Sequence, residues 1–231
     1  RWFVNTPPKS TPTVNRPVPT AAARSGFVNP AVKPYLDLYP LPNGRDLGPG
    51  MGQYNYEFTR VTRENFFQGR VDVELSDKDL IFVRHTYDGS TQVSPVSSGA
   101  IQTTGLPQFV TDSSGANHFF TAEAKRTFTQ SLLNTARFSS GVLTYEQQPA
   151  NTLAEPLSFL PDAPFMGLIL IGGLSQVGNY AAEPSTQNVD YYTWSDDLTY
   201  TRGKHLLKTG VLIEHAYADK LTTVNSRGTY T

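Results

Sequence analysis

From Phe67 to Leu75 the chain alternates without a break. Phe67, Gly69, Val71, Val73 and Leu75 fall on one face, and Gln68, Arg70, Asp72 and Glu74 on the other. A period of two marks a strand with one face in an apolar medium. The charged, turn-forming run Ser76-Asp77-Lys78-Asp79 follows, and then Ile81, Val83, His85 and Tyr87 alternate against Phe82, Arg84, Thr86 and Asp88. These residues predict a hairpin over about 64–88. The unit recurs over about 117–142, where Phe120, Ala122 and Ala124 oppose Thr121, Glu123 and Lys125 before a turn around Thr129-Gln130-Ser131 and a second strand from Leu132. It recurs over about 189–216, with Tyr192, Trp194, Leu198 and Tyr200 against Tyr191, Thr193, Ser195, Asp197 and Thr199. Its turn is Thr201-Arg202-Gly203-Lys204, after which Leu207, Thr209, Val211 and Ile213 oppose Lys208 and Glu214. Asp196 on the apolar face and Leu212 on the polar one break the pattern.

Between the hairpins, Gly89 to Ala116 and Leu143 to Asn188 are rich in Ser, Thr, Pro and Gly and mostly without strand periodicity. Compact soluble domains use connections of roughly 4–6 residues. Short turns alternating with long loops are instead the habit of outer-membrane barrels. Strands of about 9–12 residues also suffice to cross the hydrocarbon layer at a tilt. In lipid every backbone polar group must be satisfied within the protein, so strands survive there only in a closed sheet. The expected fold is therefore all-β: an open, curved antiparallel sheet of about six strands, part of a transmembrane outer-membrane β-barrel with long extracellular loops. Arg70, Asp72, Glu74, Arg84, Asp88, Glu123, Lys125, Lys208 and Glu214 would then face the lumen.

Residues 1–63 read differently, as a Pro/Gly-rich loop arm. Pro7-Pro8, Pro17, Pro19, Pro40, Pro42 and the run Leu47-Gly48-Pro49-Gly50-Met51-Gly52 predict that no long strand forms up to Gly52. Asn29-Pro30-Ala31-Val32 offers a cap and an N-terminal proline, and Tyr35, Leu36 and Leu38 continue to Pro40, which predicts a short helix at 30–38. Pro34 works against it. Residues 64–231 form the partial barrel.

Composition sharpens this picture. Hydrophobic residues make up 38% of the chain, below the roughly 45–50% of soluble domains, yet Tyr and Phe number 12 and 13. Lipid-facing alternate positions with aromatic girdles give such a balance, as does a secreted β-sandwich. A net charge of −1 with dispersed Lys and Arg argues against nucleic acid as a partner. The absence of cysteine excludes disulfides and thiolate chemistry and fits an oxidising compartment. The longest apolar run, Phe165 to Leu174, is about half the roughly 20 residues a membrane helix needs. The opening Arg1-Trp2-Phe3-Val4-Asn5 has no signal-peptide character, and both ends read as cuts in a longer chain.

The segment Glu64-Asn65-Phe66-Phe67-Gln68-Gly69-Arg70-Val71-Asp72, followed by Ser76-Asp77-Lys78-Asp79-Leu80-Ile81-Phe82-Val83-Arg84-His85-Thr86-Tyr87-Asp88, resembles a hairpin of the Oar-like TonB-dependent transporters. Three further stretches resemble the same family: Pro17 to Ala22 with Leu38 to Gly44, Phe119 to Asn134, and Ser195 to Lys208. The resemblance implies a barrel of about 22 strands around a plug, in the outer membrane of a Gram-negative-type bacterium. It implies outer-membrane lipid as surroundings, and active uptake of an unidentified substrate. Energy would come from the inner-membrane TonB complex, acting through an N-terminal box. Neither that box, nor the plug, nor the carboxypeptidase-regulatory-like domain that often precedes them is recognisable in these residues. Ligand specificity would lie in long outer loops such as Gly89 to Ala116 and Leu143 to Asn188, where no transferable motif identifies ligand-binding residues.

No catalytic, metal or cofactor site is expected. His85, His118, His205 and His215 form neither H-x3-H nor H-E-x-x-H. Glu214 and His215 point to opposite faces of a strand. Gly48, Gly50 and Gly52 lie without a preceding strand or following helix and read as turn glycines. Gly172-Gly173-Leu174-Ser175 lacks the spacing of a nucleophile elbow. Phe165 to Ile171 reads as a packed apolar segment, either a strand or a loop tip on the barrel rim. A rival reading rests on Tyr191, Tyr192, Trp194 and Tyr200 as a sugar-stacking platform: a secreted carbohydrate-binding or adhesive β-sandwich, with two apolar inner faces packed on each other.

Overall fold

A computed structural model describes residues 13–26, 29–57, 61–94, 106–150, 157–160 and 165–231. The arm forms β1 (Thr13–Pro19), α1 (Ala21–Ser25), α2 (Lys33–Leu36), β2 (Asp46–Gly48) and β3 (Met51–Glu57), and its three strands make a small sheet in the order β1-β3-β2. The arm, read as a loop without long strands, thus holds three short ones of 7, 3 and 7 residues. β1 holds Pro17 and Pro19 because it is an edge strand paired only with β3, Pro17 opposite Gln53 and Pro19 opposite Met51. An edge leaves one row of N–H groups unused, and proline loses nothing there. The expected helix at 30–38 shrinks to the single turn of α2, with Pro34 in its first turn.

The main sheet comprises β4 (Val61–Ser76), β5 (Asp79–Ser94), β6 (Thr111–Thr129), β7 (Leu132–Pro149), β9 (Ser185–Arg202) and β10 (His205–Thr222). They are all antiparallel, in the order β10-β9-β7-β6-β5-β4. The three predicted hairpins are β4–β5, β6–β7 and β9–β10, joined by turns at 77–78, 130–131 and 203–204. Two-residue strands β8 (Leu168–Ile169) and β11 (Thr229–Tyr230) pair in parallel beside the sheet. Among the described residues no helix is long and apolar enough to cross a membrane, and the main sheet stays open, with β4 and β10 as its edges.

The strands are longer than expected, at 16 to 19 residues. Stretches assigned to loops, such as Gly89–Ser94, Thr111–Ala116 and Leu143–Pro149, continue the ladder instead. They carry little apolar alternation because at that height the sheet has left the hydrocarbon, and pairing there needs no apolar face.

The register sorts the side chains into two faces. Across the sheet, one row reads Val71, Val83, Ala122, Phe138, Trp194 and Ile213, and the next row toward the turns reads Val73, Ile81, Ala124, Ala136, Asp196 and Val211. These side chains are left bare: Val71 is 64% exposed, Val211 and Ile213 57% each. The opposite face carries Arg70, Arg84, Asp72, Glu123 and Lys125, as expected of a lumen. There Arg137 pairs with Glu123, Lys125 reaches Glu123 at 3.4 Å, Arg70 holds Asp72 at 2.6 Å, and Lys208 lies 3.8 Å from Asp197. Asp196, the polar residue within those two rows, is held by the Asn134 amide.

The bare band has the height of a membrane. Along β10 it runs from Leu207 to Tyr217, about 33 Å of strand, which at a tilt of about 40° spans about 25 Å along the normal. Phe67, Tyr87, His118 and Tyr217 share the row bounding it on the loop side, and Phe128 and Tyr200 stand near the turn side.

Candidate functional site

At the loop end, four separate stretches condense into a cap. They are the arm, the residues before β6, the segment before β9 and the residues after β10. Val18, Tyr39, Leu106, Phe109, Met166 and Val177 form its buried cluster. It is the site of the core because no second apolar layer covers the sheet itself. The Phe165–Ile171 segment is packed here as expected: Met166 and Leu168 are buried, and Ile169 exchanges backbone hydrogen bonds with Val177 at 2.7 and 3.1 Å.

Polar side chains tie the stretches together. The Arg24 guanidinium donates to the carbonyl oxygens of Pro19, Tyr39 and Pro40, closing the arm on itself. The Tyr39 hydroxyl donates to the Ser175 carbonyl at 2.8 Å, and the Ser175 amide donates to Pro17 O at 2.9 Å. Burial pushes the Tyr39 hydroxyl up to about 12. Gln108 Nε2 donates to Leu38 O, joining the arm to the entry of β6. Gly178, at φ +106°, crosses so close to Gly167 that a Cβ would run into the Gly167 carbonyl. Only glycine fits that conformation and that approach.

The cap meets the wall at a fully buried carboxyl group. Glu183 Oε1 accepts from the Thr111 hydroxyl at 2.6 Å and from Gln147 Nε2 at 2.9 Å, while Oε2 has no partner among the described residues. Burial raises the pKa of Glu183 above the ordinary carboxylate value, with the two hydrogen bonds and the Arg227 charge working against that rise. Arg227 is itself buried, donates to Tyr180 O at 2.7 Å and lies 5.7 Å from the Phe165 ring centre. Burial lowers its pKa, and the Glu183 charge opposes that change.

Against the buried cluster lies an apolar cavity of about 300 Å³, lined by Val32, Tyr35, Tyr39, Phe159, Ile169 and Ile171 among others. Tyr35 and Phe159 stack at 4.8 Å, and Phe159 meets Tyr230 at 4.2 Å. The cavity suits an apolar or aromatic group, and the tyrosine hydroxyls are the only polar side-chain groups among its lining residues.

Two of the four histidines meet on the bare band: His85 Nε2 and His118 Nδ1 are 3.3 Å apart, with Tyr87 against His118. Among the described residues no three His, Cys, Asp or Glu side chains gather as metal ligands would. The aromatic set Tyr191, Tyr192, Trp194 and Tyr200 is divided between the faces. Tyr192 and Trp194 stack at 6.1 Å on the bare side, whereas Tyr191 lies over Gly141 on the other, so no single sugar platform forms.

A protein-family model described as an outer membrane beta barrel domain matches residues 3–231. The chain belongs to that family. No curated protein and no solved structure matches it. Membership places the bare band in the outer membrane of a Gram-negative bacterium, the short turns on the periplasmic side and the cap outside. A single sheet with a bare apolar face is also what distinguishes this barrel wall from the rival sandwich, whose sheets would cover each other.

Proposed function

We propose that this outer-membrane barrel segment belongs to a TonB-dependent transporter, contributing six strands of wall and part of the outer vestibule through which an unidentified substrate is actively taken up. The residues that resemble the Oar-like hairpin support this reading, and the observation that carries it is the cap. A wall alone needs no buried core beyond the membrane. Here arm and loops converge on one cluster beside an apolar cavity at the loop end of the sheet. Ligand sites favour concave apolar pockets with few polar groups. The barrel is completed by further strands, because six cannot close one. Energy enters through the inner-membrane TonB complex. The chain has no catalytic role, needs no cofactor and does not contact nucleic acid.

The test compares depletion of compounds from the medium by three strains: wild type, one lacking this protein and one lacking the energy transducer. Both deletions are expected to leave the same compounds undepleted. Uptake that depends on this protein but survives loss of the transducer sinks the TonB reading and leaves a passive barrel.

A further inference from the structure

Above the bare band, on the same outward face, the wall is dished into a polar cavity of about 340 Å³. Its shape follows from the sequence. Gly89 and Ala116 supply no bulk in the row above the Tyr87 row, and the Tyr87 ring folds over Gly89, where a Cβ would collide with it. The rim is Arg63, Asn65, Ser114, Glu146 and Asn188. Register puts Asn65 and Asn188 one step above the Tyr87 row, and Arg63, Ser114 and Glu146 two steps above. Each step of two residues rises about 5 Å along the normal for strands tilted near 40°. The rim therefore stands about 5–10 Å above the hydrocarbon boundary, the depth of the lipid headgroup layer.

The rim side chains are also unspent. Among the described residues Arg63, Asn65, Ser114, Glu146 and Asn188 form no side-chain hydrogen bond or ion pair. On the lumen face at the same height Gln92 is satisfied by Thr62 at 3.0 Å. Amides, a hydroxyl, one cation and one carboxylate around an aromatic floor match a ligand rich in hydroxyl groups with an anionic substituent. The apolar band directly below would receive acyl chains carried by the same ligand.

We propose that this cavity binds the phosphorylated saccharide headgroup of an outer-leaflet glycolipid, whose acyl chains lie on the band beneath it. The site faces the membrane and not the lumen, so it rests on the barrel family and is independent of transport.

The complete protein, reconstituted in phosphatidylethanolamine/phosphatidylglycerol nanodiscs, is titrated with rough-type lipopolysaccharide, with added phosphatidylglycerol and with deacylated lipopolysaccharide, binding being read by native mass spectrometry. The wild type is expected to hold lipopolysaccharide at least ten-fold more tightly than either other probe. Ser114→Leu with Asn188→Leu, which fills the cavity, should abolish that preference. Gln92→Leu, on the lumen face, should keep it, and unchanged heat-modifiable gel mobility confirms that each variant is folded. Equal binding of phosphatidylglycerol, or an undiminished preference in the filled variant, overturns the site. Equal binding of the deacylated form overturns it too, since a soluble sugar would then be the ligand.

Discussion

The wall and the cap of this chain solve the same problem, burying a backbone, by opposite means. In the wall, hydrogen bonds run unbroken from β4 to β10 and most side chains remain exposed or half-buried on both faces, those of β10 exposed from His205 to Leu221. In the cap the strands are two to seven residues long, and order comes from buried side chains such as Val18, Leu106 and Val177. The wall borrows its apolar layer from lipid, whereas the cap stands in water and must make its own. Substitutions should therefore be felt in one region by which face they occupy, and in the other by how deeply they are buried.

The largest effect belongs to the cap core. Leu106→Ala removes a side chain with no exposure and should destabilise the cap by about 2–5 kcal/mol. Hydrogen exchange would show faster exchange at Ile169 and Val177, with Val83 and Ala122 in the wall unchanged. Equal loss of protection in both would mean that the two regions unfold as one. Next is a matched pair in the wall. Ile213→Arg places a charge near the middle of the lipid-facing band and should cost about 2–4 kcal/mol in vesicles. Leu212→Arg, one residue away on the lumen face, should stay within about 0.5 kcal/mol. Denaturant titration measures both, and equal penalties would show that the faces are wrongly assigned.

The same contrast explains what could be read from the sequence. Lipid imposes a period of two, so the three hairpins and the facing of Val71, Ile81, Ala122 and Ile213 were legible, turns included. The polar ends of β5, β6 and β7 were not, because a ladder in water leaves no apolar alternation. In the arm, Pro17 and Pro19 look like breakers until β1 is known to be an edge. Glu183 could not be found at all: its partners Gln147 and Thr111 lie 36 and 72 residues away, and no local pattern links them. The outward dish at Gly89 and Ala116 was hidden likewise, inside a stretch that read as loop.

A third, smaller effect probes how the arm joins the cap. Arg24→Ala removes charge-assisted bonds to the carbonyls of Pro19, Tyr39 and Pro40. Such bonds are worth about 1.5–3 kcal/mol. Limited proteolysis should then cut within the arm sooner, with the wall hairpins still resistant. Cleavage at the wild-type rate would show that the backbone pairing of β1 with β3 holds the arm by itself.

The gentlest change separates the regions by pH. The carboxyl of Glu183 is easier to protonate in the folded cap than in an unfolded chain, because burial penalises its charge. The stability it contributes is therefore complete below the unfolded value of about 4.3 and is lost as pH rises through the higher folded value. A single group gives a slope of at most about 1.4 kcal/mol per pH unit. After correction for intrinsic exchange, the opening free energy at Val177 should fall with rising pH in the wild type. Glu183→Gln, which keeps an acceptor for Thr111 and Gln147 but cannot ionise, should flatten that dependence without touching amides at Val83. If the slope persists in the variant, the titrating group lies elsewhere, and Glu183 joins cap to wall as a neutral hydrogen-bond acceptor across the whole range.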